Sequence, residues 1–207
     1  KRGILVRYPS QETINIIFSE TAAFTCSLIF RMIYEQTGTV DPWVKHDRLQ
    51  LAQKKLLVIG TGNIGRRVLD FMNPFMKTDS FDIMQNDLSE LPLKLAQADC
   101  VTLHIPKTDE NATFMDAEKL GMMKDGAILV NTARGPIVDE NALYDELQSG
   151  RLRAAFDVFW QEPYSGILKE FSPDPFFMTP HIASTCSSFL TGCRDGLDNL
   201  IEECNHA

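Results

Sequence analysis

Short apolar runs alternate with segments of helical periodicity from Leu56 to the end of the chain, and this alternation limits the possible folds more than any other feature. The runs that predict strands are KLLVIG, TDSFD, CVTLHI, AILVNT, RAAFDVF and FFMTP. The segments between them predict helices, such as NIGRRVLDFM, which stops at Asn73-Pro74, and VDENALYDELQSG, which Asp139 caps. This order is typical of an α/β protein with a parallel, doubly wound sheet and helices on both faces. Ligands of such sheets bind beyond the carboxyl ends of the strands.

The charge and the cysteine pattern narrow the classes of partner. The 207 residues carry a formal net charge of -8, which repels phosphate backbones and anionic lipid, so we expect neither a nucleic acid nor a membrane partner. The five cysteines have no metal-binding spacing and no paired framework, which predicts free thiols, a cytoplasmic location and no metal site. The most apolar stretch contains Asn15 and Glu20, so we do not expect it to span a bilayer, and we expect no signal peptide.

The first part of the chain follows a different pattern. GILVRYP predicts a strand without an earlier partner, an amphipathic helix extends from Gln11 to about Glu35, and TGTVDPW predicts a loop. A final helix is predicted for ASTCSSFLTGCRDGLDNLIEEC. We therefore divide the chain into an isolated strand (1–10), a long helix with its loop (11–50), a sheet domain (51–182) and a C-terminal helix (183–207).

The sequence VIGTGNIGRR places Gly60, Gly62 and Gly65 between a predicted strand and a predicted helix. In this context the first glycine permits a tight turn, the second lets a pyrophosphate approach the backbone, and the third lets the helix pack closely on the strand. The next strand ends at Asp82, about 20 residues on, where an acidic side chain binds the ribose 2′-hydroxyl. Asp79 is a competing candidate. The pattern predicts a Rossmann-type dinucleotide-binding domain, and an acidic residue at this point favours NAD over NADP.

Three further ionisable residues form a candidate catalytic group. Arg134 follows the strand AILVNT, Glu162 lies in the loop DVFWQEP, and His181 lies in MTPHIAS before the final helix. Each has an alternative interpretation by itself, as a solvated arginine, a solvated carboxylate or a structural histidine. Asp157 and His104 also lie at predicted strand ends, where the sheet is expected to bind its ligand.

Four motifs, GTGNIG, NTARG, DVFWQEP and TPHIA, occur in this order and resemble those of the D-isomer-specific 2-hydroxyacid dehydrogenases. The resemblance extends from about Gly3 to about Asn199. It implies an NAD-dependent oxidoreductase that interconverts a D-2-hydroxy acid and its 2-oxo acid by hydride transfer, and that forms a homodimer. The motifs are specific for the family but not for the substrate.

The resemblance also implies roles for the catalytic group. Arg134 would bind the carboxylate and the carbonyl of the 2-oxo acid, because a guanidinium is planar, permanently charged and able to bond two oxygens at once. His181 would be the general acid and base that gives a proton to the carbonyl oxygen as hydride arrives at carbon. Glu162 would be its carboxylate partner, which stabilises the imidazolium and fixes the orientation of the ring.

For the cofactor, the resemblance implies that Asp82 holds the adenosine ribose and that Asp157 receives the nicotinamide carboxamide. The glycine loop would supply amides to the pyrophosphate, and the backbone after AILVNT would contact the nicotinamide. The other residues predicted to bind NAD lie at or after the carboxyl ends of the predicted strands. They are Gly60, Gly62, Asn63, Ile64, Gly65, His104, Thr132 and Ala133.

The chain also departs from the family pattern. In the family a substrate-binding domain precedes the strand GILVRYP, so residues 1–10 would be its remnant and that domain would be largely absent. Residues 11–50 would contain the interdomain helix, which contributes to the dimer interface. The connection from Asp82 to Cys100 is short, as though a strand and a turn were missing. We therefore expect this chain alone to bind NAD but to be inactive as a fragment.

Two other functions compete with this interpretation. The first is an NAD-binding dimerisation or sensor module without turnover, like the corepressors of the same family, but such a module would not need all three catalytic side chains. The second is a formate dehydrogenase, in which a glutamine typically stands where this chain has Glu162. The interpretation that we favour is a dehydrogenase domain acting on a small 2-hydroxy acid and its 2-oxo acid.

Overall fold

The N-terminal part of the chain is dominated by one long helix. The computed structural model describes residues 6–34 and 37–206. Helix α1 spans Gln11–Ile33, and the Ser10 side chain caps it by accepting a hydrogen bond from the amide of Thr13. Residues 6–10 have no regular secondary structure, so the predicted strand is absent from the part of GILVRYP that is described. The rest of that strand and the predicted helix end at Glu35 lie outside the described residues.

A hairpin follows α1 where a loop was predicted from TGTVDPW. Strands β1 (Gly38–Val40) and β2 (Trp43–Lys45) are antiparallel, with Val40 paired with Trp43. The prediction was wrong because only Asp41 and Pro42 lie at the tip of the hairpin, whereas Gly38 is part of β1 and pairs with Lys45. Every residue of both strands is exposed, so the hairpin is not covered by the described part of its own chain.

A sheet of six parallel strands forms the centre of the molecule and confirms the predicted fold class. The strands are β3 (Lys55–Ile59), β4 (Lys77–Phe81), β5 (Cys100–Leu103), β6 (Ala127–Asn131), β7 (Leu152–Phe156) and β8 (Phe176–Met178). Their order is β4-β3-β5-β6-β7-β8, so the sheet extends outwards from β3 in both directions. No strand lies between β4 and β5, in agreement with the short predicted connection. The two directions separate between β3 and β5, where doubly wound sheets bind their ligands.

Helices connect the strands of this sheet. Those that follow α1 in the described residues are α2 (Asn63–Met72), α3 (Leu91–Gln97), α4 (Ala117–Gly121), α5 (Glu140–Gln148) and α6 (Ser187–His206). As predicted, α2 ends before Asn73-Pro74, and Asp139 caps α5 by accepting hydrogen bonds from the first amides of the helix. Helix α6 begins at Ser187 and not at the predicted Ala183, because the segment before it forms short turns in which the amides of Thr185 and Cys186 donate to the carbonyls of Ile182 and Ser184.

The alternation of side chains along the strands builds a core on both faces of the sheet. Leu56 and Val58 of β3 belong to the cluster that contains α1 and α2, whereas Leu57 and Ile59 belong to the cluster that contains α3 and α5. Helix α1 contributes Ile29, whose complete burial stabilises the fold by about 1.5–3 kcal/mol. The long helix is therefore part of the core of the sheet domain.

Helix α1 also meets the length and hydropathy criteria for a membrane-spanning helix, although Asn15 and Glu20 led us to expect otherwise. Its window contains few charged residues, so the two polar ones do not lower the hydropathy enough. One side of the helix is buried, including Cys26, Ile29 and Met32, in the same cluster as residues of the sheet. Packing in this core accounts for the apolar residues of α1 from Ala22 onward.

Candidate active site and cofactor cleft

The glycine loop lies at the separation point of the sheet, and its geometry needs glycine at two positions. Gly60 has a left-handed φ of 93°, and a Cβ there would lie 2.6 Å from the carbonyl oxygen of His104. A Cβ on Gly65 would overlap the carbonyl oxygen of Gly60, so α2 packs against β3 only without a side chain. A Cβ on Gly62 would meet no atom within 4 Å and would project into open space. The turn at Gly60 and the close packing at Gly65 are what the GxGxxG spacing predicts, and the contact of Gly62 with a pyrophosphate stays a prediction.

The N-terminus of α2 provides a site for an anion. Gly62 is the N-cap residue, and no side chain caps the helix, so its first amides are available to a ligand. A cavity of about 490 Å³ adjoins this end, and its lining residues, which include two cations and one acidic side chain, are Thr61, Gly62, Asn63, Arg66, Arg67 and Asp70. Free amides and the positive end of a helix dipole suit a pyrophosphate. The residues present therefore fit the phosphates of a dinucleotide.

Asp82 follows β4 and faces the glycine loop. Its Oδ2 accepts hydrogen bonds from the amide and the hydroxyl of Thr61, each 2.8 Å long, and its Oδ1 accepts one from the amide of Met84. The Thr61 amide is the main reason why the pKa of Asp82 lies below its usual value, so the side chain is a carboxylate. Asp82 lines a cavity of about 330 Å³ together with Gly60 and His104. A cavity of this kind suits the adenosine end of a dinucleotide.

The competing candidate, Asp79, has a structural environment. Its carboxylate forms ion pairs with Lys55 at 2.9 Å and Lys94 at 2.8 Å. Partial burial raises the pKa of Asp79, but the hydrogen bonds from Lys94 and Lys55 outweigh this effect and hold the pKa below its usual value. The carboxylate of Asp79 is therefore already paired with two lysines, and this favours Asp82 as the ribose ligand.

The NTARG turn carries Arg134 at the end of β6 and is held by a buried side chain that the sequence did not single out. Asn131 donates a hydrogen bond to the carbonyl of Arg134 and accepts one from the amide of Ala133, both at 2.9 Å. The hydroxyls of Thr132 and of Thr25, on α1, lie 2.7 Å apart. Because Thr25 donates its hydrogen to the carbonyl of Thr21, Thr132 is the donor in this pair. The turn is thus held by the side chain of Asn131 and by Thr25 of the long helix.

A cavity of about 540 Å³ brings together several of the residues predicted to bind the cofactor or the substrate. The predicted residues that line it are Asn63, Ile64, His104, Thr132, Ala133 and Arg134. Phe18 of α1 forms part of the same wall, although no sequence pattern pointed to it. The guanidinium of Arg134 is exposed and donates one hydrogen bond to the carbonyl of Ala133. The backbone of Arg134 is extended, and its side chain lines the cavity. The remaining donors of the guanidinium suit an anionic substrate.

His104 separates this cavity from the adenosine cavity and lines both. Its Nε2 lies 3.1 Å from the hydroxyl of Thr102, and its Nδ1 is buried without a hydrogen-bond partner among the described residues. Although part of the residue is exposed, burial of the ring nitrogens lowers the pKa of His104 to about 3. The ring is therefore neutral and cannot act as a cation toward phosphates.

Glu162 and His181 form a directly bonded pair. Nδ1 of His181 lies 2.7 Å from Oε2 of Glu162, and the amide of Phe159 donates a hydrogen bond to Oε1 at 3.1 Å. Partial burial raises the pKa of Glu162, but the hydrogen bonds from His181 and Phe159, with the charges of His181 and Arg134, hold it below its usual value. The carboxylate is therefore ionised and fixes Nδ1 as a proton donor. Nε2 of His181, which has no partner among the described residues, is available to a substrate.

Asp157 is completely buried at the end of β7. Its Oδ1 accepts hydrogen bonds from the hydroxyl of Thr179 and the amide of Ile182, and its Oδ2 accepts one from the amide of Ala183. The sequence predicted that Asp157 receives a nicotinamide carboxamide, and this stays a prediction. The contacts with Thr179 and the segment after His181 were not predicted.

Other chemistry has little support in the described part of the chain. No group of three or more histidine, cysteine, aspartate or glutamate side chains there is arranged to hold a metal ion. All five cysteines are free thiols. Burial raises the pKa of Cys26 to about 12, so this thiol is not a nucleophile at neutral pH.

Comparison with known proteins agrees with this geometry. Residues 31–183 match the family described as D-isomer specific 2-hydroxyacid dehydrogenase, NAD binding domain. Glycerate dehydrogenase of Methylorubrum extorquens is 39% identical over 157 residues, which cover 73% of this chain and 50% of that protein. The structure of D-lactate dehydrogenase from Aquifex aeolicus, complexed with NAD and lactic acid, matches with a TM-score of 0.75 at 28% identity, covering 88% of this chain and 65% of that one.

A second solved structure, the TT0316 protein from Thermus thermophilus, has a TM-score of 0.78 at 29% identity and covers 97% of this chain and 68% of that one. The chain spans about half the length of relatives such as the glycerate dehydrogenase. The family match covers the sheet, the glycine loop, Arg134, Glu162 and His181. The chain belongs to the D-isomer specific 2-hydroxyacid dehydrogenase family and contains its NAD-binding domain.

Proposed function

We propose that this chain is the cofactor-binding part of an enzyme that interconverts a small D-2-hydroxy acid and its 2-oxo acid by hydride transfer. The observation that carries the proposal is the 2.7 Å bond between His181 and Glu162, which leaves Nε2 of the histidine free. A module that only senses NAD has no need for an imidazole oriented by a carboxylate. The paired acid and base therefore favour turnover over a sensor function.

The roles of the residues in the reduction follow from their chemistry. Arg134 binds the carboxylate of the 2-oxo acid through its planar fork and orients the carbonyl. Bound NADH supplies the hydride that the carbonyl carbon receives. His181 gives the proton on Nε2 to the carbonyl oxygen, which becomes the hydroxyl group of the product. Glu162 stabilises the imidazolium before this transfer and accepts the hydrogen bond from Nδ1 throughout.

The preference for NAD over NADP rests on Asp82. Its carboxylate is ionised and would accept hydrogen bonds from ribose hydroxyls, whereas it would repel a 2′-phosphate. The residues that follow it, Ile83 to Asn86, include no lysine or arginine that could bind that phosphate. Both features support NAD as the working cofactor.

We also propose that the chain forms a homodimer. The hairpin of β1 and β2 leaves Val40 80% and Trp43 76% exposed. A lone two-stranded hairpin is marginally stable in water, and exposed apolar surface of this kind marks an interface. Sedimentation equilibrium of the purified chain tests this assembly. We expect a dimer at micromolar concentration, and a monomer throughout the concentration range would contradict the proposal.

A cytoplasmic location without a nucleic-acid or membrane partner is also part of the proposal. The net charge of -8 disfavours both kinds of anionic surface. The free state of the five cysteines is what a reducing compartment would give.

Two measurements test the proposed function. Calorimetric titration with NADH tests whether this chain binds the cofactor, as we expect. The full-length protein encoded by the gene should then reduce glyoxylate, hydroxypyruvate or pyruvate with NADH, while this chain alone should show almost no turnover. Positioning of the substrate by the rest of the cleft is worth about 7–11 kcal/mol in such reactions. Rapid, saturable NADH oxidation by this chain alone would contradict its description as a part of the active site.

A further inference from the structure

The backbone at His181 has an unusual conformation. Its φ is 54°, in the left-handed region, which residues other than glycine rarely adopt and which needs support from the surrounding structure. The amide of His181 donates a hydrogen bond to the carbonyl of Thr179 at 3.0 Å, which closes a tight turn immediately before the histidine. This turn directs the imidazole toward Glu162.

The support for this turn comes from Asp157. Oδ1 of Asp157 accepts the hydroxyl of Thr179 at 2.6 Å and the amide of Ile182 at 2.9 Å, so one oxygen joins both sides of His181. Oδ2 accepts the amide of Ala183 at 2.8 Å and extends the contact by one residue. Three donors on one carboxylate thus surround a single left-handed residue.

The two ends of this arrangement are rigid. The amide of Asp157 donates to the carbonyl of Asn131 in β6, and the amide of Thr179 donates to the carbonyl of Phe156 in β7. Asp157 and Thr179 therefore continue the pairing of the sheet for one residue beyond the strands. His181 itself lies in an exposed loop, so its position depends on these anchors.

From this geometry we propose that Asp157 and Thr179 are positioning residues that hold His181 against Glu162. The proposal rests on the function proposed above, in which His181 transfers the proton. Without the hydroxyl of Thr179, the segment before His181 loses its side-chain anchor, and the imidazole no longer keeps its distance from Glu162. The substitution should lower the rate of proton transfer much more than the affinity for the cofactor, because Thr179 lines neither the cavity at Arg134 nor the one at Asp82, but a third cavity that Glu162 and His181 also line.

The hydroxyl can be tested with a matched pair of variants. Thr179→Val has nearly the same shape but cannot donate to Asp157, whereas Thr179→Ser keeps the donor. In the purified chain, proton NMR at low temperature should detect the Nδ1 proton of His181 as a downfield signal, because the hydrogen bond to Glu162 and the low temperature together slow the exchange of this partly exposed proton. We expect this signal in the wild type and in Thr179→Ser, and its loss in Thr179→Val. In both variants the affinity for NADH, measured by calorimetry, should change much less than kcat does.

In the full-length protein, Thr179→Val should lower kcat by about 10–100-fold, the range seen when a residue that orients a metal ligand is lost, with a much smaller change in the KM for NADH. Thr179→Ser should restore kcat. A Thr179→Val chain that keeps the downfield signal, or an enzyme that keeps wild-type kcat, would overturn the proposal. If the valine variant does not fold, Thr179→Ala removes the same donor and decides the question. A wild-type chain that fails to bind NADH would instead refute the proposed function, because the NMR test does not depend on binding.

Discussion

Replacement of Gly62 by alanine separates cofactor binding from folding. The backbone of Gly62 has a φ of -68°, which alanine adopts without strain, and a Cβ there meets no atom within 4 Å. Alanine lowers the conformational entropy of the unfolded chain, and this stabilises the folded state by about 0.4–1 kcal/mol. Alanine is also a poorer N-cap residue than glycine, and this destabilises the folded state by a similar amount. The free energy of unfolding should therefore change by less than about 0.5 kcal/mol.

Binding should change much more, because the methyl group would occupy the space that we assign to the pyrophosphate. The loss of one hydrogen bond between an amide and a charged phosphate costs about 1.5–3 kcal/mol, which corresponds to a roughly 10- to 150-fold weaker affinity for NADH. Calorimetric titration measures the affinity, and thermal unfolding followed by circular dichroism measures the stability.

Two other glycines serve as controls for this experiment. Gly121→Ala also meets open space, but Gly121 lines none of the cavities of the cleft, so the variant should bind NADH normally. Gly65→Ala should destabilise the fold, since its Cβ would overlap the carbonyl of Gly60. If Gly62→Ala bound NADH with wild-type affinity, the pyrophosphate would not lie over Gly62, and our placement of the cofactor would be wrong.

Three further predictions concern Asp82, the catalytic group and Asp79. Asp82→Ala should narrow the preference for NADH over NADPH, since a charge-assisted hydrogen bond worth about 1.5–3 kcal/mol is lost; an unchanged ratio of the two dissociation constants would exclude Asp82 as the ribose ligand. In the full-length protein, His181→Gln should lower kcat by about 10²–10⁴-fold, and Glu162→Gln should move the pH limb of activity toward lower pH, because the imidazolium loses its partner; steady-state pH profiles check both. Asp79 has a folded-state pKa below its ordinary 3.8, so its ion pairs stabilise the fold above that pH and the contribution is lost as the pH falls through the folded pKa. Asp79→Asn should therefore lower the Tm at neutral pH, and the Tm of the variant should fall less than that of the wild type when the pH is lowered. An equal fall in Tm for both proteins would refute this prediction.

The sheet and the glycine loop could be predicted because their signals are local. Apolar runs such as AILVNT form buried strands wherever helices cover both faces, and Gly60, Gly62 and Gly65 need only the strand before them and the helix after them. Asp139 could likewise be identified as a cap from the helix that follows it. In each case the physical cause lies within a few residues of the signal.

The parts that were missed depend on contacts between distant residues. The hydroxyls of Thr25 and Thr132 meet across 107 positions of sequence, and nothing near either residue indicates the other. The segment Ala183–Cys186 is helical by composition, but the amides of Thr185 and Cys186 donate to the carbonyls of Ile182 and Ser184 in short turns, so α6 begins only at Ser187. The hairpin was missed because its strands are short and exposed, so they lack the apolar alternation that predicts a strand.

The configuration of the reaction product tests the central claim most directly. The full-length protein would be incubated with NADH and hydroxypyruvate, glyoxylate or pyruvate, and the loss of reduced nicotinamide absorbance would be followed, with His181→Gln as the control. The 2-hydroxy acid formed from hydroxypyruvate or pyruvate is chiral, and its isomers would then be separated by chiral chromatography; the product from glyoxylate is achiral and reports only the rate. Our account predicts the D-isomer and a strongly reduced rate in the control. An L-product, or a His181→Gln variant as active as the wild type, would contradict it.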